Sequence, residues 1–272
     1  MNLDSKIREV VQLKQNANFK DVIYVHQNEA LHYVMSYGLE FRDFSQNLPN
    51  PLNNLLMIKH QFDHGSFNIN TMMEYTSKKE VSKLAGDNIY SYGDFCWIDF
   101  EEVDGLDQLN GQELAEILYL GHTKQSLNSP FYSKLNNRFV YLAHDDGWFN
   151  KIYYRYTNDF YCMLGNSISN KLLHQKGDKS LKRLLPSQKI TNLPPIPTEV
   201  IYTLKDKIKE GVAISLEKTV KGRGSLKVPV WVMGDYLHMD SMYEDYQVRS
   251  AKQPYAYFVF DKKAKEWSLY IN

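Results

Sequence analysis

The chain has 272 residues, 43% of them apolar and 24% charged, the composition of an ordinary folded protein, which excludes the low-hydrophobicity, high-charge regime of disorder. Its 32 basic and 32 acidic residues cancel, so no global field draws it to nucleic acid or to an anionic membrane. Every apolar run is broken by charge short of the roughly 20 residues that a bilayer crossing needs, which excludes an integral transporter.

Two cysteines, Cys96 and Cys162, are too few for a disulfide framework. The opening Met1-Asn2-Leu3-Asp4-Ser5-Lys6 lacks the basic and apolar regions of a secretory signal. The expected compartment is the cytoplasm. The 20 tyrosines suit half-buried strand faces and binding surfaces alike.

In chain order, Leu3, Ile7 and Val10 recur at helical spacing after Asp4 and predict an amphipathic helix over 4–16. A buried strand over 21–26 follows. Asn28 as a cap, with Ala30, Tyr33 and Val34, predicts a helix ended by Gly38. Residues 45–54, with Pro49 and Pro51, read as a loop before a strand over 55–58, with a helical patch near 78–84. Residues 95–100 read as a strand and 112–124 as the clearest amphipathic helix. Residues 138–143 and 149–156 alternate aromatic or β-branched with polar positions around Asp145-Asp146-Gly147, a hairpin signature. A helix over 158–173 closes the body.

Residues 176–198 combine lysines with Pro186, Pro194, Pro195 and Pro197 and read as a linker. Beyond it come a helix over 199–209, strands over 212–216 and 227–233, a helix near 241–248, and a hairpin pairing 255–260 with 267–271. The expected fold is α+β, with mixed or antiparallel sheets, β-hairpins and flanking helices. The expected organisation is a main body over 1–175, the linker over 176–198 and a C-terminal α+β portion over 199–272, with packing on the same core left open.

The runs Tyr90-Ser91-Tyr92-Gly93-Asp94-Phe95-Cys96-Trp97-Ile98-Asp99-Phe100 and Phe139-Val140-Tyr141-Leu142-Ala143-His144-Asp145-Asp146-Gly147-Trp148-Phe149 resemble a family of uncharacterised soluble proteins of spore-forming Gram-positive bacteria. The likeness extends to Trp267. Members are sometimes labelled oxalate:formate antiporter, a label that this composition contradicts. The resemblance implies no mechanism and no site residues. Strand, acidic turn, strand and helix in that order are also similar to toxin-neutralising immunity proteins.

The sharpest local pattern is His60-Gln61-Phe62-Asp63-His64. On a helix, His60 and His64 share a face and can reach one zinc ion, with Asp63 between them to handle a water proton. The order is similar to the H-x-x-E-H of inverzincin metalloproteases, but Asp63 is shorter than the glutamate and Gly65 follows at once. The alternative is a polar turn after a strand. His144 and Asp145 offer an imidazole and a carboxylate at a strand end, where turn chemistry equally explains the acids and glycine.

The run Asp99, Glu101, Glu102, Asp104, Asp107 fails as an EF-hand, because Phe100 and Gly111 would fall at ligand positions, and reads as a solvated acidic loop. Lys221-Gly222-Arg223-Gly224-Ser225 matches no phosphate loop and reads as a hairpin. Gly165-Asn166-Ser167 lacks the nucleophile elbow's second glycine, which leaves Ser167 as helix surface. Both cysteines read as core residues. The functional expectation is a cytosolic, non-catalytic interaction or regulatory protein with a protein partner, no nucleic acid and no membrane. The alternatives are a zinc-dependent hydrolase using His60, Asp63, His64, His144 and Asp145, and an immunity-type protein that binds a toxin.

Overall fold

The computed structural model describes residues 21–63, 66–84, 86, 95–123, 128–144, 149–174 and 192–272. The expected helix over 4–16 and most of the expected linker, 176–191, lie outside them. Strand β1 (Val22–Asn28) forms as its β-branched run predicts, and β2 (Tyr33–Tyr37) follows where a helix through Ala30 and Val34 is expected. The aromatic and apolar run of β2 gains a full antiparallel ladder on β1, from Tyr24↔Tyr37 to Asn28↔Tyr33, and those tertiary bonds outweigh a weak helical spacing. Asn28 does act on the following backbone, but as a turn former: its Oδ1 accepts the Leu31 N–H at 3.0 Å.

Helix α1 (Phe41–Asn47) takes in residues 45–47 of the expected loop. Glu40 and Asp43 cap it reciprocally, each side chain accepting from the other's backbone N–H. Strand β3 (Asn54–Asp63) is much longer than its apolar centre, because β4 (Ser66–Thr76), absent from the sequence reading, pairs along it from Leu55↔Thr76 to Asp63↔Ser66. The short helix α2 (Val81–Leu84), strand β5 (Phe95–Phe100), the short helix α3 (Asp104–Asp107) and helix α4 (Gly111–Thr123) come next. The hairpin of β6 (Phe139–His144) and β7 (Phe149–Tyr154) leads into the long helix α5 (Thr157–His174).

The helix expected over 199–209 divides into α6 (Thr198–Tyr202) and α7 (Lys205–Glu210). Strand β8 (Val212–Ser215), the two-residue β9 (Val220–Lys221), β10 (Ser225–Val232), helix α8 (Met239–Arg249), β11 (Ala256–Asp261) and β12 (Glu266–Ile271) complete the chain.

Among the described residues the strands form one open antiparallel sheet of twelve, in the order β12-β11-β10-β8-β1-β2-β7-β6-β5-β3-β4, with β9 added on β10. The C-terminal strands therefore continue the N-terminal sheet through the β1–β8 ladder, Val22↔Ser215 to Val25↔Val212. Residues 192–197 pack on it: Leu193 and Ile196 are buried, and Pro194 O accepts from Trp267 Nε1 at 2.8 Å and Ser169 Oγ at 3.1 Å. Alternation along each strand gives two faces. One carries the large core of Ile23, Val25, Trp97, Tyr141 and Ile214 under α1, α5, α6 and α7. The other carries two smaller cores, one with Ile117 and Leu120 of α4 over β3, β5 and β6, and one with Met239, Met242 and Tyr246 of α8 over β1, β8 and β10.

Two further expectations change. Ser167 is buried inside α5 rather than on its surface, its Oγ 3.4 Å from Met163 Sδ. Asp99 is not part of a solvated loop: it is buried, and its Oδ1 accepts the backbone N–H groups of Arg138 at 2.8 Å and Phe139 at 2.6 Å, where β6 begins. Burial pushes its carboxyl up to about 6, only partly opposed by those two donors.

A folded-state value above the unfolded one means that this group favours the fold most below about pH 4, and that the advantage is lost as pH rises through about 6. Asp99→Asn keeps an oxygen acceptor for both N–H groups and cannot ionise. Denaturant unfolding is expected to show the variant gaining on the order of 2 kcal/mol relative to the parent between pH 4 and pH 7. A difference that stays constant with pH would contradict this account.

Candidate functional site

The expected metal ligands do not meet on a helix. Residues 60–63 are the end of β3, with His60 opposite Thr71, so the one-turn spacing that would bring His60 beside His64 does not apply. His144 ends β6. Lys59, Phe95 and Ala143 form one cross-strand row, so His60 and His144 each lie one residue beyond it at the same end of the sheet, two strand spacings or about 10 Å apart along the backbone. His64 and Asp145, and the side chains of His60, Asp63 and His144, lie outside what is described. Among the described residues no group of three or more His, Cys, Asp or Glu side chains is placed to hold a metal ion.

What the register does bring together is a strip on the second face that joins the α4 core, which Tyr153 and Tyr33 enter, to the α8 core, which Tyr24, Tyr37 and Phe149 enter. Three rows cross β7, β2 and β1: Phe149–Tyr37–Tyr24, Lys151–Met35–His26 and Tyr153–Tyr33–Asn28. Alternation puts all nine on one face, because cross-strand partners point the same way and each row lies two residues from the next. The first row is an aromatic wall, Phe149 stacked on Tyr37 at 4.7 Å and Tyr37 tilted against Tyr24 at 5.5 Å.

Lys151 stands at the β7 end of the middle row. Its Nζ lies 4.2 Å from the centre of the Tyr33 ring and 5.3 Å from that of Tyr153, and the two rings meet edge to face at 5.7 Å. Ring faces attract a cation, but they neutralise no charge. No carboxylate among the described residues pairs with Lys151, whereas Lys134, Lys171, Arg138 and Arg249 each have one. Burial holds the Lys151 amine below the ordinary lysine range. Met35, buried at its side, is apolar floor.

The far wall is the segment after β10. Tyr24 Oη donates to Gly234 O at 2.6 Å, and the Tyr24 ring meets that of Tyr236 edge to face at 5.7 Å. Tyr236 in turn donates to Asp245 of α8, which also accepts from Arg249 Nε at 2.6 Å. Burial and then the Asp245 carboxylate push the Tyr236 phenol up to about 12. This wall sets Asp235 Oδ1 3.2 Å from Nδ1 of the buried His26, off the line of a hydrogen bond. Burial and the Asp235 charge together raise the phenol of Tyr33. The strip thus has a cationic end at Lys151, an anionic end at Asp235 and rings between.

On the outer side of α8, a cleft of about 400 Å³ is lined by Trp231, Val248, Arg249 and Lys252 among others. Its cations are partly committed: Arg249 holds Asp245 and the Val232 carbonyl. The cysteines play no part in either place: Cys96 is core, and Cys162 is half-buried on α5. No described helix is long and apolar enough to cross a membrane. No family model, curated protein or solved structure matches the chain.

Sequence reasoning passed over Lys151 and His26 as site residues. The available signal was alternation: Phe149, Lys151 and Tyr153 form one side of β7 against Asn150, Ile152 and Tyr154, so the lysine interrupts an aromatic row.

One glycine fixes the far wall. Gly211 has φ of 91°, and a Cβ there would sit 2.0 Å from Gly234 O, the atom that Tyr24 also holds. Gly211→Ala is expected to lower stability by about 2 kcal/mol in thermal unfolding. Gly224→Ala, where a Cβ meets nothing within 4 Å, is expected to change it by less than about 0.5 kcal/mol. Equal effects would show that the close approach does not constrain the wall.

Proposed function

We propose that the protein is a non-catalytic interaction or regulatory protein that binds through the strip centred on Lys151. The observation that carries this reading is a cation set between two tyrosine rings with no counter-ion among the described residues. Binding sites enriched in Tyr with few charges give large contact area at low entropic cost. Three other ion pairs support the same reading, because they are engaged in holding the fold: Asp159 with Arg138, Asp43 with Lys171, Glu113 with Lys134. Neutralising a toxin, as an immunity protein does, is one form that this activity takes. The partner is a protein, and the setting the cytoplasm.

The competing reading is a zinc-dependent hydrolase built on His60, Asp63, His64, His144 and Asp145. Metal analysis of untagged protein separates the two. The expected result is no stoichiometric metal, a melting temperature unmoved by chelator, and no change in either with His60→Ala and His64→Ala combined. About one zinc per chain, lost in the double variant together with stability, would overturn the non-catalytic reading, since a metal bound only by the native state stabilises it by mass action.

A further inference from the structure

We propose that Lys151 anchors a site for a monoanionic carboxylate carried on an aromatic or apolar body. The inference rests on the binding reading above and adds the chemistry of what is bound. Lys151 is half-buried on β7, an interior strand between β2 and β6, so its charge is costly unless an anion meets it. The fold supplies the Tyr33 and Tyr153 rings, 4.2 and 5.3 Å from Nζ, which lessen that cost without neutralising the charge. The half-buried Lys134, Lys171 and Arg138 each have a carboxylate and Arg155 has the Asn136 amide oxygen, whereas Lys151 has neither among the described residues.

The surroundings narrow the anion. A single ammonium is a point charge, without the fork of an arginine that fits a phosphate in bidentate fashion. Asp235 faces His26 at 3.2 Å two strands away, and its charge is felt at Tyr33. A dianionic phosphate is therefore repelled from the same floor that tolerates one negative charge at the Lys151 end. Beside the ammonium the partly exposed Tyr33 ring offers π surface to the body behind the carboxylate, backed by the buried Tyr153 and Met35. The Tyr33 hydroxyl, which accepts from Asn28 Nδ2 at 3.4 Å, has its own proton to donate to an anion.

Two sources present that chemistry: a free aromatic acid, or an acidic side chain next to an aromatic one in a partner polypeptide. The probes are sodium benzoate, neutral benzamide, inorganic phosphate, and the end-capped dipeptides acetyl-Phe-Glu-amide and acetyl-Phe-Gln-amide. Binding to the full chain is followed by thermal shift and by the amide spectrum of β2 and β7. Benzoate or the Glu dipeptide is expected to bind, benzamide, the Gln dipeptide and phosphate at least about tenfold more weakly. The tighter of the two binders identifies the source. Lys151→Met should weaken binding by about tenfold or more, and Lys227→Met, which removes an exposed cation on β10 outside the strip, by much less. Equal binding of benzoate and benzamide, undiminished binding to Lys151→Met, or no binding of either carboxylate would overturn the proposal. None of these outcomes depends on metal content, so its failure is separate from failure of the non-catalytic reading.

Discussion

The structure depends on β1 having two partners. Val22, Ile23, Tyr24 and Val25 are all buried, so none of their backbone N–H and C=O groups can fall back on water, and each unpaired one would cost on the order of 1–3 kcal/mol. The chain meets that demand with β2, a few residues away, and with β8, some 190 residues away along the sequence. The second pairing is entropically slow to find but cheap to keep, because loop-closure cost grows only logarithmically with length. Once β8 is in place, β10, β11 and β12 extend the same ladder, and α7, which packs on β1 and ends at Gly211, delivers the chain to β8.

That arrangement also determines where binding chemistry can sit. One face is filled under α1, α5, α6 and α7, and the other has α4 toward one end and α8 toward the other. The strip that joins these two cores is floored by β7, β2 and β1, where side chains must satisfy themselves or be satisfied by something else. Tyr24 turns to Gly234, His26 to Asp235, and Tyr33 to Asn28. Lys151 has only rings. Cross-strand register, more than any local motif, sets this lysine among rings.

The parts of this fold that were legible in the sequence are those whose signals are local. The alternation of β6 and β7, the apolar run of β5, the long amphipathic α5 and the terminal hairpin of β11 and β12 each carry their period within a few residues. The parts that were not legible are decided by partners. Strand β2 carries enough helical spacing in Ala30, Tyr33 and Val34 to be read as a helix, and only its ladder with β1 settles it. Strand β4 has Asn68, Asn70 and Thr71 among its apolar residues and is strand because β3 lies beside it. The candidate strip draws on His26, Tyr33, Met35, Lys151 and Asp235, which nothing in the linear order joins. His60 and His64 drew attention instead because a motif of five residues is visible at a glance, and its helical premise fails against a strand.

The claim on which the rest stands is that the first and last thirds of the chain share one sheet through β1 and β8. Native-state hydrogen exchange read on peptides covering 22–25, 139–144 and 212–215 tests it directly. The account predicts that all three exchange only through global unfolding, with the same free energy and the same denaturant dependence. Exchange of 212–215 at a clearly lower free energy, while 22–25 and 139–144 stay protected, would show that the seam between β1 and β8 does not hold the sheet together.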